Sequence, residues 1–222
     1  MLIQDLESGE RWEVGGAFCE QRLSPCSTFK VPHALIGLKL GELSGVDHVG
    51  EYDGGDVPFD AWARDHDLAS AIEFSVVWYF QALAERIGPE RMSRELDGLA
   101  YGNKDISSGQ AAFWLSGGSL EISPREQLDF VARLFSDRLP FSREHQASVR
   151  ELLVVRRAEE YTLSGKTGSG LSPGGGFGLG WFVGSYATGA RELVFVAVSE
   201  EEGWSGRRVR GEVEALLSSR SW

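Results

Sequence analysis

The chain has 222 residues and a net charge of −11, from 22 lysines and arginines against 33 acidic residues. An acidic surface repels phosphate backbones, which argues against a nucleic-acid partner but not against a small anionic ligand in a local cationic pocket. With 42% hydrophobic residues, no linker-like break and no apolar run of membrane-spanning length, residues 1–222 read as one compact domain.

Leu2 to Asp5 and Trp12 to Phe18 read as two short strands around the turn Glu7-Ser8-Gly9-Glu10. The N-terminus has no basic head and no long apolar core, so it does not read as a signal peptide. Residues 27–43 are expected to form a helix that opens on Ser27-Thr28-Phe29-Lys30, with Pro32 distorting its first turns. Residues 45–67 look irregular. Leu68 to Ile87 has helical spacing throughout, up to the stop at Gly88-Pro89, and a shorter helix follows from Glu90 to Leu96. Residues 101–119 read as loop, and helices are expected at 124–135 and 142–154. Glu160 to Lys166, Leu179 to Tyr186 and Leu193 to Val198 have strand patterns joined by Gly-rich turns, before a last helix at 207–218. This order predicts an α/β protein of the α+β type, an antiparallel sheet flanked by helices, rather than βαβ repeats.

Two cysteines, Cys19 and Cys26, could form one pair, which is no disulfide framework; Cys26 reads as a buried, inert thiol. The four histidines have no metal-ligand spacing, so no metal site is expected.

The tetrad Ser27-Thr28-Phe29-Lys30 carries chemistry if helical. A lysine three residues after a serine lies one turn away on the same face, where a neutral or modified amine can take the hydroxyl proton. By itself the tetrad reads more simply as a capped helix start, with Ser27 as N-cap and Lys30 solvated, and the motifs that follow reverse that reading. Ser75-Val76-Val77, Tyr101-Gly102-Asn103 and Lys166-Thr167-Gly168-Ser169 follow in order. The S-D-N element of class A enzymes is absent.

Together these motifs resemble the class D serine β-lactamases, the oxacillinase family, whose fold is shared with penicillin-binding transpeptidases. The likeness runs from about Leu23 to the C-terminus and includes Ser27 to Leu38, Phe113-Trp114-Leu115, Glu160-Tyr161 and Trp181-Phe182-Val183-Gly184. It implies that Ser27 attacks a β-lactam carbonyl, with the backbone N–H groups of Ser27 and Ser169 as oxyanion hole. It implies a carbamate formed from carbon dioxide on Lys30 as general base, in a pocket of Phe29, Val77 and Trp114, with no dissociable cofactor. Ser75 and Lys166 would pass a proton to the leaving nitrogen. Lys166, Thr167, Gly168 and an arginine, taken as Arg207 over its neighbour Arg208, would hold the substrate, with Tyr101 and Asn103 shaping the cleft wall. Relative to the family, the N-terminal region is expected to be short, leaving a sheet edge uncovered. The resemblance implies a periplasmic or secreted enzyme, whereas the leaderless N-terminus leaves a cytoplasmic one open; monomer and homodimer are both open. The rival readings are a penicillin-binding sensor or cell-wall peptidase relative that acylates without turnover, and, more distantly, a non-enzymatic interaction protein on the same fold.

Overall fold

The computed structural model describes residues 1–109 and 111–218. In chain order the strands are β1 (Leu2–Asp5), β2 (Arg11–Glu13), β3 (Val154–Arg157), β4 (Tyr161–Leu171), β5 (Phe177–Thr188) and β6 (Glu192–Ser199). The helices are α1 (Lys30–Lys39), α2 (Leu68–Glu73), α3 (Val77–Ile87), α4 (Pro89–Leu99), α5 (Pro124–Phe135), α6 (Arg143–Leu152) and α7 (Gly206–Ser218). The strands make one antiparallel sheet in the order β2-β1-β6-β5-β4-β3, as the expected fold class requires.

Alternation along β5 divides the interior in two. Trp181 and Val183 face the larger core with the buried side chains of α1, α3 and α5. Phe182, between them, faces the smaller core with Phe195 and the α7 residues Val209, Val213 and Leu217. Helix α1 lies inside the larger core: its residues from Lys30 to Leu38 are all buried. Its sequence is apolar on every side, which suits a helix enclosed by others and not one on a surface.

Several boundaries differ from the sequence reading. The second strand ends at Glu13, because Gly15 and Gly16 take positive φ and turn the chain into a 3-10 helix at Gly16–Glu20. The helix expected over 27–43 is a 3-10 turn at Cys26–Phe29 followed by α1. Pro32 therefore sits in the first turn of α1, where a missing N–H costs little. The helix expected over 142–154 ends at Leu152, with Leu153 as its cap, and Val154 already opens β3.

The largest difference is at 68–87, where one expected helix is two. Helix α2 closes with Ser75 N–H bonded to Ile72 O and Val76 N–H to Ala71 O. Ser75 stands at φ 58, the left-handed position that closes this kind of helix end and that glycine usually holds. Periodicity misses the break because both halves bury the same face, through Ala71 and Ile72 and then Tyr79, Phe80 and Leu83.

Candidate active site

The 3-10 turn at Cys26–Phe29 sets Ser27 three residues before Lys30, the first residue of α1. Lys30 Nζ donates to Ser27 Oγ at 2.9 Å. Ser27 makes no cap bond, and Lys30 is fully buried, so the solvated-cap alternative does not describe the tetrad. Burial pushes the Lys30 pKa well below the ordinary lysine value, and the charge of Lys166 adds to this.

Lys166 comes from β4. Its Nζ donates to Ser75 Oγ at 2.9 Å, joining the sheet to the α2–α3 break. Burial lowers its pKa to about 7, so neutral and charged forms coexist near neutrality. Gly168 permits the approach of β4 to the nucleophile turn: a β-carbon there would lie 2.9 Å from Pro25 O and 3.1 Å from Thr28 Cγ2.

The outer edge of β4 is open beside Ser27. Gly165 N–H bonds outward to Leu153 O at 2.7 Å, and Leu171 N–H to Ser116 Oγ at 2.8 Å. Alternate residues of a strand present their N–H to the same side, so those of Thr167 and Ser169 point out of this edge.

An aromatic box encloses the Lys30 side. Phe29 stacks on Trp114 at 5.9 Å between centroids and meets Phe113 edge-on at 5.2 Å. Lys30 Nζ lies 5.5 Å from the centroid of Phe80. Trp114 is fully buried, and its Nε1 has no hydrogen-bond partner among the described residues. A buried indole N–H normally has one. Val77, half-buried, opens α3 just after the Ser75 turn.

The other residues singled out from sequence are placed differently. Tyr101 is buried below the site: its hydroxyl donates to Gln127 Oε1 at 3.1 Å, Gln127 Nε2 donates to Thr28 Oγ1 at 2.8 Å, and Thr28 Oγ1 donates to Pro25 O at 2.7 Å. Tyr101 thus braces the nucleophile turn from beneath and is no part of a cleft wall. Asn103 is spent on its own loop, donating to Ser119 O and accepting from the N–H groups of Asp105 and Glu121. Arg207 is exposed, and Arg208 lies over the Trp204 ring at 4.2 Å. Arg210 shares a recess of about 350 Å³ with Lys166 and Thr167. The residue that abuts the K-T-G segment at the start of α7 is Gly206: its N–H donates to Ser169 Oγ, and a β-carbon there would lie 2.5 Å from Gly168 O. Cys19 and Cys26 are free and buried, so the possible pair is not formed.

Sequence reasoning passed over Gln127, Arg210 and Gly206. Gln127 did leave a signal: it is a polar residue in the apolar stripe it forms with Phe130, Val131 and Leu134.

The penicillin-binding protein transpeptidase domain family matches residues 9–217. The chain is 39% identical over 212 residues to a probable β-lactamase, YbxI, of Bacillus subtilis, covering 96% of this chain and 78% of that one. It superposes on the class D β-lactamase BAT-2 with a TM-score of 0.93 at 37% identity, over 98% of this chain and 89% of that one. The C-terminal domain of the Bacillus licheniformis BlaR penicillin receptor is also similar, with a TM-score of 0.90 at 29% identity, over 98% and 88%. With a nucleophile turn, a buried lysine pair and an open strand edge assembled on this fold, the chain belongs to the penicillin-binding transpeptidase family and, within it, to the class D serine β-lactamases.

Proposed function

We propose that the enzyme opens the β-lactam ring of penicillin-type antibiotics through an acyl-enzyme on Ser27. The observation that carries this is the 2.9 Å bond between Ser27 Oγ and a buried lysine amine held well below its usual pKa. Ser27 Oγ bonds the lactam carbonyl carbon as its proton passes toward the Lys30 head, and the carbonyl oxygen takes the negative charge. The Ser27 and Ser169 N–H groups would hold that oxygen; one such donor is worth about 2.7–4 kcal/mol of barrier. When the C–N bond breaks, the nitrogen needs a proton. Ser75 Oγ can deliver it and be resupplied by Lys166, whose pKa of about 7 suits both states.

The Lys30 pocket suits carbon dioxide. A neutral buried amine can bind it, the surroundings are apolar, and Trp114 Nε1 is an unmet donor waiting for an acceptor. Held there as a carbamate, carbon dioxide supplies a general base for acylation and for hydrolysis of the acyl-enzyme. Phe29 and Trp114 would enclose it, and Val77 adds apolar surface at the start of α3.

Thr167 and a cation would bind the substrate carboxylate. Arg210, which pairs with Glu214 at 2.6 Å and lines the same recess as Lys166 and Thr167, is taken for this part over Arg207.

Turnover of a chromogenic cephalosporin, with and without added bicarbonate, tests the reading. Steady hydrolysis that bicarbonate increases, and that Ser27→Ala and Lys30→Ala abolish, is expected. The similarity to the BlaR penicillin receptor favours one alternative, an acylated sensor. An adduct on Ser27 that persists for hours with no steady turnover would select it.

A further inference from the structure

Three of the buried nitrogens left without a hydrogen-bond partner among the described residues lie on two neighbouring rings: Trp114 Nε1, His33 Nδ1 and His33 Nε2. His33 stands one helical turn past Lys30 on α1 and is fully buried. Its ring centroid lies 5.3 Å from that of Trp114 and 5.4 Å from that of Phe80, the ring over which Lys30 Nζ sits. The imidazole therefore neighbours both the indole and the ring over which the amine sits.

A neutral imidazole has one donor and one acceptor, and here neither is used. Leaving buried polar groups unmet costs stability, and a leucine would fill the same space with no such cost. His33 therefore needs a polar partner that packing does not provide. With a bare amine on Lys30, neither the indole N–H nor the imidazole N–H has an acceptor. A carbamate would bring anionic oxygens and retain one N–H, which complements the donor and acceptor of the ring, and hydrogen bonds to charged groups are about twice as strong as neutral ones.

We infer that His33 is a positioning residue for the carbon dioxide taken up by Lys30, and that with Trp114 it sets how tightly the pocket holds that group. The inference rests on the carbamate reading above. Burial pushes the imidazole pKa down to about 3, which favours the neutral ring.

The test is carbon-13 NMR of the full-length enzyme titrated with labelled bicarbonate, on the wild type, His33→Leu and His33→Asn, with thermal unfolding alongside. Expected is a carbamate resonance in the wild type that half-saturates at about ten-fold higher bicarbonate in His33→Leu. His33→Asn, which keeps a donor and an acceptor, should return most of the way. Thermal stability of His33→Leu should equal or exceed that of the wild type. Equal half-saturation in wild type and His33→Leu overturns the role of His33 while leaving the general base intact. No resonance in the wild type overturns the general base, and this inference with it. If His33→Leu does not fold, His33→Phe takes its place: a half-saturation raised about ten-fold supports the inference, and one equal to that of the wild type overturns it.

Discussion

Lys166 Nζ and Ser75 Oγ meet at 2.9 Å although their residues are 91 positions apart in the chain. One comes from the sheet and the other from a helix end. The bond depends on Ser75 holding a left-handed backbone, since that conformation turns α2 into α3 at this point.

Ser75 therefore carries a conformational cost that glycine would relieve. Ser75→Gly and Ser75→Ala both remove the hydroxyl, and both should lose on the order of 10²-fold or more in kcat. They should differ in stability, with Ser75→Gly more stable than Ser75→Ala by about 1 kcal/mol. Denaturant unfolding of the two variants checks this; equal midpoints would show that the turn is unstrained.

Lys166 should cost the fold stability at neutral pH. Its pKa is about 7 in the folded chain, below the ordinary value of 10.5. Between these values the unfolded chain binds a proton that the folded chain gives up, so stability rises with pH across that window. Below pH 7 the buried amine is charged and its penalty is complete. Lys166→Met removes the term, so it should be inactive, melt higher than wild type at pH 7, and lose that advantage as pH approaches 10. Melting temperatures of both proteins from pH 6 to 10 test the sign; a constant gap would refute it.

The buried chain Tyr101–Gln127–Thr28 should act on the nucleophile from below. Gln127→Leu strands the Tyr101 hydroxyl and should cost about 1–3 kcal/mol. Adding Tyr101→Phe removes the stranded group and should recover part of it. Because Thr28 neighbours Ser27, kcat is expected to fall more than KM changes. A double-mutant cycle with no coupling between the two sites would sink the idea.

The three arginines at the start of α7 can be separated by kinetics. Arg210→Ala should raise KM for a carboxylate-bearing penicillin about ten-fold, whereas Arg207→Ala and Arg208→Ala should change it little. A methyl ester of the same penicillin should show no such difference. A larger effect at Arg207 would return the assignment to the exposed arginine.

Much of this site was legible in the residues alone. The spacing of Ser27 and Lys30 required only that the segment be helical, and the 3-10 turn preserves that proximity. The alternating and apolar runs of the last third became β4, β5 and β6, with longer bounds than their patterns gave. Failures came where a local pattern is blind to tertiary demand. Helical spacing cannot report a break whose two halves bury the same face, so Ser75 was placed inside a helix. The resemblance makes Tyr101 a wall residue, yet its buried hydroxyl serves Gln127 on another element. The choice among the arginines of α7 is not legible in the chain, because Gly206, which a β-carbon would drive into Gly168, fixes how α7 meets the strand, and no one-dimensional signal records that contact.

The two bonds that fasten β4, from Gly165 to Leu153 and from Leu171 to Ser116, also act as a ruler. Between them a guest can be zipped to the strand only through the amides of Thr167 and Ser169. A short, rigid amide fits that interval. A long extended polypeptide would have to undo one fastening or the other before it could lie down along the whole of β4.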